Sequence, residues 1–157
     1  MTVVKVGNLA PAFNLLNQDG KKVQLKDFRG KKNVVLYFYP KALTPGCTTQ
    51  ACGIRDIKKE LAKRNCVAFG ISPDPVDKLA KFAEKYSLNF DLLADDGHKI
   101  AEKYGVWGDK KFMGREYVGL IRTTFIISKQ GKTIRILDKF KTKTHHEDVL
   151  QALDELS

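Results

Sequence analysis

Apolar residues in the first half of the chain follow two periods, which predict strands alternating with helices. Polar and apolar side chains alternate on both sides of the turn at Gly20, as they do in a β-hairpin. Continuous apolar runs at residues 34–39 and 66–71 indicate buried strands. Between these runs, apolar positions at helical spacing predict a helix that opens on Cys47 and continues to about Arg64.

The second half of the chain predicts three more helices and a second hairpin. One helix starts at Asp74-Pro75, a short one covers about residues 98–104, and the last starts near Thr144. Residues 122–127 and 132–137 predict two strands joined by a turn. This order predicts an α/β fold with a mixed central sheet flanked by helices on both faces.

Length and cysteine content indicate the number of domains and the cellular compartment of the protein. The 157-residue sequence predicts one domain, residues 1–157, and no apolar run approaches the length of about 20 residues that crosses a membrane. The first six residues lack the apolar core and cleavage site of a signal peptide. Three cysteines, two of them placed for redox chemistry, fit a reducing compartment. We therefore expect a cytoplasmic protein that does not bind a membrane.

The formal net charge of +10 at pH 7 is partly local. Residues 129–143 carry six basic side chains against the single acid Asp138. Such a balance attracts nucleic acid or an acidic protein surface. However, lysines occur in every segment, and no aromatic and basic stacking platform accompanies them. We interpret the charge as solubility and as steering of an acidic reductant, not as a nucleic-acid site.

The candidate chemistry is concentrated where the first buried strand gives way to a helix. Pro40 cuts the strand, and Cys47 follows at the helix start, where unpaired N–H groups and the helix dipole favour a thiolate. Gly46 lets backbone approach the sulfur, and Thr44 can turn its hydroxyl toward the same place. This pattern predicts an activated, accessible sulfur nucleophile. The alternative is a cysteine that only begins a buried helix.

A second cysteine on the same predicted helix supports redox chemistry. Cys52 follows Cys47 by five residues, and such a pair in a reducing compartment indicates metal binding or redox chemistry. Zinc is disfavoured because there is no second cysteine pair and the three histidines have the wrong spacing. The spacing also differs from the Cys-x2-Cys of a thioredoxin-type exchanger. No metal or organic cofactor is therefore expected.

Residues 37–52, with the sequence Tyr-Phe-Tyr-Pro-Lys-Ala-Leu-Thr-Pro-Gly-Cys-Thr-Thr-Gln-Ala-Cys, resemble one enzyme family. They are similar to the Q-type peroxiredoxins, the bacterioferritin comigratory protein family of thiol peroxidases. The similarity continues at residues 69–72, 105–108, 112–114 and 122–127, so it covers nearly the whole chain. It implies a thioredoxin-like fold with an added N-terminal β-hairpin. It also implies thiol-dependent reduction of hydrogen peroxide and organic hydroperoxides.

The resemblance assigns roles to matching residues. It makes Cys47 the peroxidatic nucleophile, and it makes Thr44 and the backbone N–H groups around Gly46 and Cys47 the binding groups for the peroxide. Pro40 would shield the sulfenic acid. Arg122 would stabilise the thiolate and the transition state, because a guanidinium is permanently charged and offers several donors. From the residues alone, the favoured interpretation of Arg122 is a surface cation at a strand edge, because its proximity to Cys47 is not visible in the sequence.

The resemblance also implies how the cycle closes. Cys52 would resolve the oxidised Cys47 as an intramolecular disulfide that thioredoxin, or alternatively glutaredoxin, reduces, in a protein that is a monomer. In an intact helix the two Cα atoms would lie about 8.7 Å apart, beyond the roughly 7 Å limit of a disulfide. The helix would therefore unwind in each cycle. Cys66 reads as a structural core cysteine.

Two departures from the family pattern and two competing functions remain. Ala42 and Gln50 stand where many relatives have acids, and we expect neither to touch the sulfur. The chain could instead be a protein disulfide oxidoreductase, or a binding or holdase protein that acts through its positive charge. Rapid consumption of peroxide by the reduced protein separates the first alternative from a peroxidase. A holdase would survive loss of Cys47, whereas a peroxidase would not.

Overall fold

The computed structural model describes residues 4–156, apart from the side chain of Phe112. The expectations for a leader and for a domain over 1–157 fall partly on residues 1–3 and 157, which lie outside this range. The strands are β1 Asn14–Asn17, β2 Lys22–Gln24, β3 Asn33–Phe38, β4 Cys66–Ser72, β5 Asp91–Ala94, β6 Trp107–Phe112, β7 Arg115–Leu120, β8 Thr123–Ile127 and β9 Thr133–Leu137. The helices are α1 Pro45–Asp56, α2 Lys58–Lys63, α3 Val76–Lys85, α4 Lys99–Lys103 and α5 His145–Glu155, with a short 3-10 helix at Leu25–Phe28.

Seven strands form one mixed sheet in the order β2-β1-β5-β4-β3-β8-β9. The central pairs β3–β4 and β4–β5 are parallel, and the outer pairs are antiparallel. The N-terminal hairpin joins the sheet through β5. This arrangement confirms the mixed α/β sheet and the first hairpin that the sequence pattern predicts.

Strand β3 lies near the middle of the sheet, and its side chains divide the core in two. Because successive side chains of a strand point to opposite faces, Val35 and Tyr37 pack beneath α1, α2, α3 and α5. Val34, Leu36 and Phe38 pack against α4 and the short 3-10 helix. All five side chains are buried, which explains why this strand reads as a continuous apolar run.

The helix that carries Cys47 differs from its prediction at both ends. It begins at Pro45, two residues early, because proline is well suited to the first helical position, where no N–H is needed. It does not continue to Arg64: the backbone at Ile57 leaves helical geometry (φ −102°, ψ 15°), and α2 follows as a separate short helix. Cys47 is therefore the third residue of a twelve-residue helix.

The hairpin formed by β6 and β7 is absent from the sequence-based prediction. Its two-residue turn has positive φ at both Met113 and Gly114, as in the type I′ turns that fit the twist of a hairpin. Most of its residues are exposed or half-buried on both faces, so no alternation of apolar and polar residues marks the strands. None of the helices within residues 4–156 has the length and apolar character needed to cross a lipid bilayer.

Candidate active site

The loop between β3 and α1 is fixed by a buried carboxylate. Asp74, only 5% exposed, accepts hydrogen bonds at 2.8 Å from the Ala42 backbone N–H and from the Ser72 hydroxyl. Ser72 ends β4, so this acid ties the loop to the neighbouring parallel strand. The bond uses the backbone of residue 42, and the Ala42 side chain is itself buried. In the sequence, Asp74 is recognisable only as part of a helix start.

Cys47 and Arg122, 75 residues apart in sequence, meet at the start of α1. The Arg122 Nη2 donates to the Cys47 Sγ at 3.2 Å. Arg122 lies one residue before β8, whose first residue, Thr123, pairs with Phe38 at the end of β3. Because α1 follows β3 and Arg122 precedes β8 at the same end of the sheet, the topology brings the two side chains together. The interpretation of Arg122 as a surface cation at a strand edge is therefore wrong.

The expectation of an accessible sulfur is wrong for this conformation. Cys47 is 0% exposed, and its side chain packs into the core that lies on the α1 face of the sheet. The first turn of a helix faces solvent only if neighbouring segments leave it open, and here the guanidinium of Arg122 lies against the sulfur. Any reactant therefore reaches the Cys47 Sγ only if neighbouring atoms shift.

Gln50 holds the other branch of the same guanidinium. Its Oε1 accepts a hydrogen bond from Arg122 Nη1 at 2.9 Å, and the residue is 1% exposed. Cys47 and Gln50 are three residues apart on α1, so they lie on one face of the helix. Gln50 does not bond to the sulfur, as expected, but it positions the arginine that does. The three-residue spacing was the signal in the sequence.

Gly46 leaves the space in which the arginine lies. A Cβ atom at this position would be 3.1 Å from Arg122 Nη2, closer than nearly all real contacts of this kind. From the sequence, glycine was expected to let backbone approach the sulfur. The group that lies closest to this position is instead the guanidinium of Arg122.

Thr44 and Pro40 lie in the loop, but neither is hydrogen-bonded to the sulfur. Thr44 is the residue before α1, and its hydroxyl donates to the Lys41 carbonyl at 2.8 Å. With its proton engaged, this oxygen keeps its lone pairs for accepting a hydrogen bond. Thr44 does not cap α1 with its side chain, so the N–H groups of the first turn have no side-chain cap partner. Pro40 is half-buried just after β3.

The three cysteines have different environments, and all are free thiols. Cys52 is half-buried in the middle of α1, so the intact helix contains both candidate redox cysteines. Cys66 is 5% exposed at the start of β4, and burial raises its pKa to about 12. A thiol with a raised pKa stays protonated near neutral pH and is a poor nucleophile. This environment agrees with a structural role for Cys66.

The unpredicted hairpin brings a second cation toward the site. Lys110 on β6 donates from Nζ to the Leu120 carbonyl at 2.6 Å, two residues before Arg122. Burial, and then the positive charge of Arg122, lower the pKa of Lys110. No sequence signal identified Lys110, because the strand that carries it has no hydrophobic period.

Buried polar side chains form a layer between the sheet and α5. His145, fully buried at the start of α5, shares a hydrogen bond of 2.7 Å between its Nε2 and the Thr124 hydroxyl. Burial lowers the pKa of His145 to about 3, so the ring is neutral at ordinary pH. Its ring centroid lies 5.6 Å from that of Tyr37 on β3. The sequence analysis considered His145 only as a zinc ligand.

Comparison with known proteins identifies close relatives along nearly the whole chain. The sequence model of the AhpC/TSA family matches residues 6–136. A bcp-type relative from Haemophilus influenzae is 58% identical over 156 residues, covering 99% of this chain and 100% of that protein. Peroxiredoxin Bcp of Escherichia coli strain K12 is 51% identical, with 99% of each chain covered.

Solved structures agree with the fold. Peroxidoxin BcpB from Mycobacterium tuberculosis is 35% identical, with a TM-score of 0.86 over 98% of this chain and 99% of that one. A Xanthomonas campestris bacterioferritin comigratory protein, studied for its alkyl peroxide reduction activity, is 27% identical, with a TM-score of 0.88 over 99% of each chain. These similarities confirm the thioredoxin-like fold and the resemblance to the Q-type enzymes.

Proposed function

This chain belongs to the AhpC/TSA family and is a peroxiredoxin, a thiol peroxidase, and we propose that Cys47 is its peroxidatic nucleophile. The observation that carries the proposal is the 3.2 Å contact between Arg122 Nη2 and Cys47 Sγ at the start of α1. A permanent cation beside sulfur stabilises the thiolate, which is the reactive form of cysteine.

The first step is nucleophilic attack on the peroxide bond. The Cys47 thiolate attacks one oxygen of a hydroperoxide, the O–O bond breaks, and the products are Cys47 sulfenic acid and an alkoxide or hydroxide that takes up a proton. Substrates are hydrogen peroxide and organic hydroperoxides. The alkyl peroxide reduction activity named for the Xanthomonas campestris protein supports the second class.

Negative charge develops on the departing oxygen, and the start of α1 offers donors for it. The N–H groups near Gly46 and Cys47 lack a side-chain cap, and Arg122 adds a charged donor. The Thr44 hydroxyl accepts a hydrogen bond from the O–H of the substrate, because its own O–H donates to the Lys41 carbonyl. Pro40 limits the space around the sulfenic acid. Gln50 is a positioning residue that holds Arg122 against the sulfur.

We assign resolution of the sulfenic acid to Cys52. Its thiol condenses with Cys47 sulfenic acid, forming an intramolecular disulfide and releasing water. Because an intact helix keeps the two Cα atoms about 8.7 Å apart, α1 unwinds before the bond forms.

The contacts at the two ends of α1 indicate where unwinding stops. At the C-terminal end, Arg55 donates to the Tyr86 carbonyl at 2.7 Å, and Asn89 donates to the Arg55 carbonyl at 3.1 Å. At the N-terminal end, Arg122 is the only residue within 4–156 whose side chain hydrogen-bonds to the side chains of Cys47 and Gln50. Unwinding therefore starts at the Cys47 end and stops at Arg55.

Thioredoxin is the reductant that we propose for the disulfide, and glutaredoxin is the alternative. The net charge of +10 supports steering of an acidic protein toward the site. We further propose that residues 1–157 act as one domain and as a monomer, because both cysteines of the cycle lie on one helix. The cytoplasm supplies the reducing conditions that free thiols need.

Turnover measurements with two donor systems test these assignments. Wild-type protein should cycle with thioredoxin and thioredoxin reductase about tenfold or more faster than with glutaredoxin and glutathione, if the partner surface is specific. Cys52→Ser should reduce one equivalent of peroxide at the wild-type rate and then stop, because no intramolecular disulfide forms. Cys66→Ser is the matched control and should cycle normally.

Two results would contradict the assignments separately. Cycling of Cys52→Ser at the wild-type rate, or a disulfide from Cys47 to Cys66 or to another chain, would remove Cys52 from the cycle. Faster turnover with glutaredoxin would overturn the choice of reductant and leave the cysteines as assigned.

A further inference from the structure

A cavity of about 220 Å³ lies at the end of the sheet away from Cys47. Val34 and Ile127 form part of its floor, and they pair with each other across β3 and β8. The pair Phe38 and Thr123 lies at the catalytic end of the same two strands. Four residues of strand separate the two pairs, which is about 13 Å. The cavity is therefore separate from the peroxidatic site.

The walls of this cavity are apolar. Val34, Ile127 and Leu25 are buried in the second core, and Phe28 and Ala10 pack against that core. A cavity of about 150 Å³ already accommodates benzene, so this one has room for a ring or a short alkyl chain. Such a site favours the apolar part of a ligand.

The mouth of the cavity is cationic. Lys26, Arg29 and Lys32 line it, and no acidic residue does among the described residues. None of the ion pairs found within residues 4–156 involves these three side chains. The Arg29 side chain lies over the turn between β8 and β9, with its Nε about 3.5 Å from the place of a Cβ on Gly131. Gly131 has φ of +86° and no side chain to displace it.

Backbone hydrogen bonds among three chain segments hold this arrangement together. Ala10 donates to the Gly131 carbonyl at 2.9 Å, and Gly30 donates to the Lys129 carbonyl. The N-terminal segment and the segment before β3 are thus both tied to the turn after β8. Leu9, 56% exposed, adds an apolar surface beside the cationic mouth. The peroxidase cycle uses none of these residues.

We propose that this cavity binds an anionic amphiphile, with its apolar tail on Val34 and Ile127 and its anionic head between Arg29 and the two lysines. The apolar floor favours burial of a hydrocarbon tail. The cationic side chains at the rim, which form no ion pair within residues 4–156, favour a carboxylate, sulfate or phosphate headgroup. The ligand is a free amphiphile or the headgroup and proximal chain of an anionic lipid at a surface. This site also gives the positive charge of the chain a specific use.

Titration of reduced full-length protein with octanoate, followed by amide NMR, tests the site directly. Amides of Ala10, Ile127 and Gly131 should shift, whereas those of residues 48–50 at the peroxidatic site should not. Octanol carries the same tail without charge, and inorganic phosphate carries charge without a tail. Both should bind at least about tenfold more weakly than octanoate, because each satisfies half of the site.

Two variants address the head and the tail of the ligand. Arg29→Gln should weaken octanoate binding about threefold to tenfold and leave octanol binding unchanged, because an exposed cation contributes modestly. Ala12→Phe places a ring in the cavity and should abolish binding of both. Lys59→Gln, an exposed lysine on α2, is the charge-matched control and should bind octanoate normally. All three should consume peroxide at the wild-type rate.

Co-sedimentation with vesicles distinguishes the two sources of the ligand. Binding to phosphatidylglycerol vesicles that is lost in Ala12→Phe supports a lipid source, since that variant keeps every charge. Octanoate binding without vesicle binding supports a free amphiphile. Equal affinities for octanoate and octanol, or octanoate shifts confined to other surfaces, would overturn the proposal, as would octanoate affinity unchanged in folded Ala12→Phe.

Discussion

The two faces of the central sheet differ in whether their large buried polar side chains have hydrogen-bond partners. On the α4 face, Tyr104 donates its hydroxyl to the Pro11 carbonyl at 2.6 Å. The buried Asp95 carboxylate accepts hydrogen bonds from the backbone N–H groups of Ile100 and Ala101 and so caps α4. On the α1 face, the hydroxyl of Tyr37, also fully buried, finds no partner within the described residues. Tyr104 and Asp95 on the α4 face are thus paired, whereas the Tyr37 hydroxyl on the α1 face has no partner within residues 4–156.

The same difference occurs at the starts of the two helices. The first turn of α4 is capped by a carboxylate, whereas the N–H groups in the first turn of α1, beside Cys47, have no side-chain cap among the described residues. A buried polar group without a partner costs about 1–3 kcal/mol. The α1 face therefore keeps donors for a substrate and gives up local stability. The opening of α1 that we propose for each cycle requires such a lower stability.

The largest expected effect separates the two buried cysteines of the α1 face. Cys47→Ser should abolish peroxide reduction, because a hydroxyl at this position does not provide the thiolate nucleophile. Cys66→Ser should leave the rate largely unchanged, since burial raises the pKa of Cys66 to about 12 and keeps it protonated. Stopped-flow measurement of peroxide consumption checks both. An inactive Cys66 variant beside an active Cys47 variant would reverse the assignment.

The next largest effect concerns the charge beside the sulfur. Arg122→Met should slow the reaction with hydrogen peroxide by about two orders of magnitude or more, because the transition state loses a charged donor. The chain should remain folded, since methionine fills similar space. The matched control is Arg135→Met on β9, which loses only an exposed contact to Glu155. Wild-type kinetics in a folded Arg122→Met protein would return Arg122 to a structural role.

Hydrogen exchange compares the two faces directly. In oxidised protein, amides of residues 44–56 should exchange on the order of a hundredfold faster than in reduced protein, because the few kcal/mol that hold α1 folded are lost. Amides of α4 should be unchanged, and far-UV helical signal should fall modestly. Peptide mapping should find the Cys47–Cys52 disulfide. That disulfide with unchanged protection of α1 would falsify the unwinding argument.

The smallest effect tests the packing of α1 on α5. A Cβ atom added at Gly53 would lie 2.5 Å from the Nδ1 of His146 and 3.3 Å from the Cβ of His146. Because the His146 Cβ does not move when the ring rotates, rotation of the ring gives little relief. Gly53→Ala should lower the free energy of unfolding by about 1–2 kcal/mol, as overpacking outweighs the roughly 1 kcal/mol of helix propensity that alanine adds. Denaturant titration measures this difference.

A double-mutant cycle sharpens this last prediction. In a His146→Ala background the ring is absent and only the 3.3 Å approach to the Cβ of residue 146 remains, so Gly53→Ala should become close to neutral. Equal destabilisation in both backgrounds would mean that the helix contact is not its cause.

Particular elements show how far the sequence reaches. Strands β3 and β4 and helices α3 and α5 follow from their own periods, because burial imposes a pattern on each segment separately. The hairpin of β6 and β7 has no such pattern, since most of its residues face solvent on both sides. The sequence pattern therefore predicted neither this hairpin nor the position of Lys110 near the site.

The sequence by itself determined the central strands, the thiol at a helix start and the motif of residues 37–52. These features depend on local periodicity, capping chemistry and spacing, which neighbouring residues encode. Only the tertiary structure decided that Arg122 meets Cys47, that Gln50 holds Arg122 and that the sulfur is buried. Those contacts depend on which strand ends lie side by side in the sheet. The register between β3 and β8 sets them, and no stretch of sequence carries that pairing alone.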